Sequence, residues 1–232
     1  YIQENKVTHS GEIDLSGCGM MELINMIRDM HFNNMGYLDV VIPTDLFNSL
    51  KKECDVALTK NSEMKSGLSG SGVPIHKYVE DENNLKSLKD YTFKLADIYK
   101  DKFEMDPSQT KILTNNLLLK LGKPWINYQK KNQFVPNHAH DGVFSYTIWI
   151  DIPYNSEDEL KSGLHASTFE FTYLDTQGNT RASLINLNKS DNGRMLFFPS
   201  TMTHQVYPFY TSEDYRVSIS GNLLLDATKY LV

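Results

Sequence analysis

From about residue 110 to the end, the chain is written as short β-type runs separated by turn residues. The runs are ILTNNLLLKLG, PWINYQKK, NQFVPNHAH, VFSYTIWIDIP, STFEFTYL, TRASLINL, RMLFFPS, THQVYPF and YRVSISGNLLL. Runs this short and this closely spaced cannot be joined by crossover helices, so they imply an antiparallel sandwich or barrel. LDTQGNT (174–180) places Gly178 where a hairpin turn needs a positive φ. The reading is a mainly β fold with flanking helices: a β core over 110–232, and an N-terminal helical and mixed segment over 1–109 that packs on it.

The N-terminal part is less regular. MMELINMIRDM (20–30) has apolar residues at helical spacing, YLDVVI (37–42) reads as a strand, and 43–58 as a helix with Thr44 or Asp45 near its N-cap. GLSGSGVP (67–74) reads as a flexible loop. A second helix is expected over 85–103, with an apolar stripe through Leu88, Tyr91, Leu95 and Ile98 that covers a sheet.

Composition removes several function classes. A hydrophobic fraction of 40% is that of a globular chain, and a net charge of −6 without a basic stripe disfavours a nucleic-acid partner. Cys18 and Cys54 have neither disulfide-framework nor metal spacing. No apolar run reaches the roughly 20 residues of a membrane span, and no signal-peptide pattern opens the chain. The expectation is a cytoplasmic protein without a membrane partner.

The chemistry concentrates in two of the β runs. Residues two apart on a strand share a face, so His138 and His140 in FVPNHAHDG can reach one point. An HxH triplet alone more often marks a surface or structural pair. His204, set among aromatics in THQVYPF, adds a third imidazole. In YRVSISG, Arg216, Ser218 and Ser220 alternate with Val217 and Ile219, which puts a polar row on one face. Arginine grips a carboxylate with a planar fork, and a serine two positions on can add a hydroxyl; the competing reading is a structural salt bridge.

On these residues the chain resembles the iron(II)- and 2-oxoglutarate-dependent dioxygenases, and more closely the 2-oxoglutarate oxygenases of phages and marine bacteria. WINYQKKNQFVPNHAHDGVFSYTIWIDIPY (125–154), FEFTY (169–173) and MLFFPSTMTHQVYPFYTSEDYRVSISGN (195–222) carry the resemblance. It implies a double-stranded β-helix, the jelly-roll or cupin-like core, with Fe(II) in a facial triad and 2-oxoglutarate as cosubstrate. His138 then corresponds to the first metal ligand and His204 to the distal one. Arg216 and Ser218 correspond to the pair that anchors the far carboxylate of 2-oxoglutarate. Tyr128 stands where related prolyl hydroxylases place a tyrosine on that carboxylate. The family's second ligand is a carboxylate two residues after the first; here that position is His140, and Asp141 follows it. Three readings stay open: an all-histidine triad, a triad of His138, Asp141 and His204, and a degenerate site or one for another metal.

The activity so implied is hydroxylation of a small-molecule or peptidyl substrate, with release of succinate and carbon dioxide, in a bacterial or phage-infected cell. The alternatives are a cupin-like metal-binding or sensing protein without turnover, and a three-histidine dioxygenase without a keto acid. A buried anchor at Arg216 and Ser218 argues against the last. The loops 67–74 and 155–163 are candidate lids. His9, His31, His76 and His165 are expected to be exposed, and Trp125 and Trp149 to pack the core or sheet. Asn127 lies on the strand leading to the site.

Overall fold

The computed structural model describes residues 36–60, 74–103 and 118–226. The helical pattern at 20–30, Cys18, His9, His31 and the loop 67–73 lie outside these residues. Eleven strands are described, β1 Leu38–Val41, β2 Ile75–Tyr78, β3 Leu119–Leu121, β4 Trp125–Gln129, β5 Val135–His138, β6 Phe144–Asp151, β7 Phe169–Leu174, β8 Thr180–Ile185, β9 Arg194–Pro199, β10 Thr203–Val206 and β11 Arg216–Leu225. The helices are α1 Thr44–Thr59, α2 Glu82–Lys102 and the single turn α3 Ser156–Glu159.

The strands form two antiparallel sheets. The larger has the order β1-β9-β6-β11-β4-β2, with β3 also paired to β11, and the smaller has the order β5-β10-β7-β8. This is the double-stranded β-helix. All nine runs contribute a strand, and the β7–β8 hairpin turns at Gly178 with φ +80°. The strand absent from the sequence reading is β2, whose IHKY carries no apolar alternation. β1 and β2 belong to the larger sheet although both precede residue 110.

Period-two alternation divides the larger sheet into two faces, and each face has its own core. Ile126, Tyr128, Tyr146, Ile148, Phe197 and Ile219 pack outward under α1 and α2, against Leu50, Leu88, Leu95 and Tyr99. Trp149, Leu196 and Phe198 point inward to meet Phe169 and Phe171 of the smaller sheet. β6 is covered on both sides, which explains why Phe144–Ile150 are all buried.

α2 starts at Glu82, three residues before its expected start, because Asp81 caps it by accepting from the N–H groups of Asn83 and Asn84. Its buried stripe runs through Leu88, Thr92, Leu95 and Tyr99, while Ile98 is 44% exposed. Thr92 can take a buried place because its hydroxyl donates to the Leu88 carbonyl at 2.7 Å. α1 begins after Pro43 with no side-chain cap. No helix among the described residues is long and apolar enough to cross a membrane.

Candidate metal centre and cosubstrate pocket

A cavity of about 450 Å³ opens between the sheets. At one end β5 and β10 pair so that His138 stands directly opposite His204. The chain leaves β5 through Ala139, and the backbone N–H of His140 donates to the Ser200 carbonyl at 2.9 Å, which holds its ring over the same point. One ligand atom from each of His138, His140 and His204 lies within 4.8 Å of the others. The chain then reverses at Gly142, with φ +121°, where a Cβ would meet the Leu223 carbonyl at 2.8 Å. Asp141 falls in that exposed turn and adds no ligand atom to the cluster.

Tautomers follow from the hydrogen bonds. His138 Nδ1 lies 2.7 Å from the Pro136 carbonyl, and His204 Nδ1 lies 3.0 Å from that of Met202. A carbonyl can only accept, so each Nδ1 carries the proton and each Nε2 keeps a free lone pair. Phe169 stacks on His204 at 5.3 Å, and Trp125 lies edge-on to His140 at 5.7 Å. Burial, and secondarily the neighbouring His138, lowers the pKa of His204 to about 3 and that of His140 to about 4. Both rings are therefore neutral near pH 7, the state a metal requires. Three converging imidazoles fit a first-row divalent ion such as Fe(II).

At the other end lies Arg216, 2% exposed. Its Nε and Nη2 donate to Gln129 Oε1 at 3.2 and 2.6 Å. Nη1 donates to the Tyr154 hydroxyl at 2.6 Å and the Ser167 carbonyl at 2.8 Å, and Nη2 also donates to the Tyr207 carbonyl at 2.8 Å. Every acceptor is neutral. Among the described residues no carboxylate forms an ion pair with Arg216, so the salt-bridge reading does not hold. A buried cation without a counter-ion is a standing electrostatic cost that an anionic ligand would relieve.

Between the two ends runs a polar row. Ser218 and Ser220 line the cavity, and both hydroxyls accept from Asn127 Nδ2, at 3.2 and 3.0 Å. Asn127 thus belongs to the wall. Tyr128 does not. Its neighbours Asn127 and Gln129 face the cavity, so Tyr128 faces the helices, where its hydroxyl donates to the Cys54 carbonyl at 2.6 Å. The residues that occupy the guanidinium are Gln129 and Tyr154, which sequence reasoning missed. The alternation within WINYQ, with Ile126 and Tyr128 apolar between Asn127 and Gln129, was the available signal.

The structure overturns the expected exposure of His76 and the lid at 155–163, and bears out His165 and Trp149. His76 is 8% exposed and lines the cavity, and its Nδ1 is buried without a hydrogen-bond partner. His165 is exposed at a loop, its Nδ1 3.2 Å from Glu170. Trp149 packs in the inter-sheet core and Trp125 lines the cavity. The candidate lid 155–163 is fastened down. Ser156 N–H donates to Asn188, and buried Glu159 accepts from the backbone N–H groups of Tyr210 and Thr211 at 2.7 and 2.8 Å.

Residues 123–222, which contain every element of this cavity except β2, match the sequence model of the family described as “Putative 2OG-Fe(II) oxygenase”. Over this span the chain is similar to the 2OG-Fe(II) oxygenases. The enzyme class is accordingly a 2-oxoglutarate- and iron(II)-dependent oxidoreductase, with both cofactors named by the family. No curated protein matches the chain in sequence. Among solved structures it is similar to a prolyl-4-hydroxylase from Pseudomonas putida, at 12% identity and a TM-score of 0.54, covering 82% of this chain and 92% of that one. It is also similar to the viral collagen prolyl hydroxylase of Paramecium bursaria Chlorella virus-1 in its 2OG complex (10% identity, TM-score 0.50, covering 81% and 94%). A third similar structure is HygX from Streptomyces hygroscopicus with nickel, 2-oxoglutarate and hygromycin B bound (12% identity, TM-score 0.50, covering 88% and 86%). At these identities the likeness establishes the fold.

Proposed function

We propose that His138, His140 and His204 hold Fe(II), that Arg216 and Ser218 anchor the distal carboxylate of 2-oxoglutarate, and that the enzyme hydroxylates a small-molecule or peptidyl substrate. The observation that carries this reading is one cavity with three converging imidazoles at one end and, at the other, a buried guanidinium that pairs with no carboxylate among the described residues. When bound, iron would activate oxygen, the oxidant, to which 2-oxoglutarate and a substrate C–H bond would each give two electrons, leaving succinate, carbon dioxide and C–OH.

The chain's own residues do the rest. The carbonyls of Pro136 and Met202 orient two of the three ligands. Phe169, Phe171 and Phe198 surround His204 and keep water from that side of the metal. Ser218, Ser220 and Asn127 offer hydrogen bonds along the path between metal and guanidinium. Among the described residues the lining carries no Lys, Asp or Glu.

The test is succinate release in air from protein loaded anaerobically with Fe(II) and given 2-oxoglutarate. Succinate should form with the native protein and not with His204→Ala. No succinate from the native protein, or equal amounts from both, would overturn the proposal.

A further inference from the structure

Gln129 holds the Nε and Nη2 edge of Arg216, an edge on which a carboxylate binds with both prongs. A single acceptor, Gln129 Oε1, takes both Nε–H and one Nη2–H of the guanidinium, at 3.2 and 2.6 Å. The other three N–H groups go to Tyr154, Ser167 and Tyr207, acceptors belonging to the surrounding wall. The Nε and Nη2 edge is therefore the edge held by a side chain that itself lines the cavity.

The orientation of this carboxamide is not arbitrary. Gln129 Nε2 donates to the Gln133 carbonyl at 2.6 Å. Turned over, the amide would set its NH₂ against guanidinium N–H groups and its oxygen against a carbonyl, two repulsive contacts in place of three hydrogen bonds. Gln133 also holds the strand end, since its Oε1 accepts from the Lys130 N–H at 2.8 Å. The turn between β4 and β5 thus aims an oxygen at Arg216.

We propose that Gln129 is a built-in stand-in for the cosubstrate: its carboxamide oxygen fills the two-pronged edge of Arg216 in the ligand-free protein, and the distal carboxylate of 2-oxoglutarate displaces it. This rests on the 2-oxoglutarate reading above and deepens it with a residue that sets cosubstrate affinity. An ionised carboxylate is a stronger acceptor for guanidinium than a neutral amide, and it supplies the missing counter-charge, so exchange runs toward the ligand. Until then the amide keeps two buried donors paired, which protects the empty site from the cost of orphaned N–H groups. The stand-in is a competitor that every molecule of 2-oxoglutarate must displace.

Opposite changes at this one position should have opposite effects. Calorimetric titration of 2-oxoglutarate into Ni(II)-loaded full-length protein, with thermal unfolding of each ligand-free form, reads them. Gln129→Ala removes the competitor and should tighten binding about tenfold, the worth of one hydrogen bond to a charged group, while lowering the ligand-free Tm. Gln129→Glu supplies a permanent counter-ion and should weaken binding by about a hundredfold while raising the ligand-free Tm. A side chain that only supports the fold would shift both variants the same way. Weakening in both, no change in either, or weaker binding by Gln129→Ala overturns the proposal. If Gln129→Ala does not fold, Gln129→Met fills the space without an acceptor and carries the same expectation. Native protein that takes up no 2-oxoglutarate would sink the oxygenase reading, whereas native binding with indifferent variants sinks only the stand-in.

Discussion

His138 and His204 each give the Nδ1 proton to a carbonyl two residues back in the chain, so backbone geometry aims both Nε2 atoms before any metal arrives. His140 has no such bond and is placed by its backbone N–H on Ser200 and by Trp125. The triad question left open by sequence therefore has a sharp test. His140→Ala should weaken Fe(II) binding at least about tenfold, the scale set by loss of even an outer-sphere partner, and Asp141→Ala should leave it nearly unchanged. Anaerobic metal titration checks both, and a larger loss for Asp141→Ala would reassign the ligand. His138, His140 and Arg216 were legible through their i, i+2 spacing with polar partners, and His204 as an imidazole set among aromatics. Tyr128 was misplaced because a resemblance was followed across a position where the strand's own alternation points the other way. His76 was illegible: nothing in PIHKY announces an inward face, and only the pairing of His76 with Asn127 fixes it.

At the scale of elements, the nine strands of residues 110–232 were legible because aromatic and β-branched residues alternate between turns. β2 was not, since its outward face is shared by Ile75 and Lys77. Lys77 is buried by donating to the Ala57 and Leu58 carbonyls at the end of α1, a tertiary arrangement no local pattern encodes. Glu159 shows the same limit. From sequence it belongs to an acidic surface run, yet it is fully buried and its carboxylate ties α3 to the segment leading into β11 and Arg216. Glu159→Ala should cost about 3 kcal/mol, since two backbone N–H groups lose a charged acceptor. Hydrogen exchange is the direct readout: the amides of Tyr210 and Thr211 should be protected in the native protein and exchange freely in the variant. Equal exchange in both would mean that Glu159 does not fasten the segment.

For the whole molecule, two cores on opposite faces of one sheet give the site its rigidity: helices bear on the outer face, and the inner face is left to chemistry. The same burial makes the metal-free protein acid-sensitive. His140, His204 and His76 all have folded-state pKa values lowered by burial from the ordinary 6.5. A lowered value means the unfolded chain takes up the proton first, so stability is complete above pH 6.5 and falls as pH drops toward about 4 for His140 and about 3 for His204. Each unmatched proton contributes a slope of about 1.4 kcal/mol per pH unit. Urea denaturation of metal-free protein across this range should show the decline, and a flat profile would mean these rings are solvated. The central claim, that the imidazole cluster and Arg216 form one iron and 2-oxoglutarate site, has its most direct test in the visible spectrum. Anaerobic addition of 2-oxoglutarate to the Fe(II)-loaded protein should raise a weak metal-to-ligand absorption band, which His204→Ala abolishes by losing the metal. Arg216→Lys should keep the metal but require far more 2-oxoglutarate to reach the same band. No band in the native protein, or one unaltered by either substitution, would contradict the account.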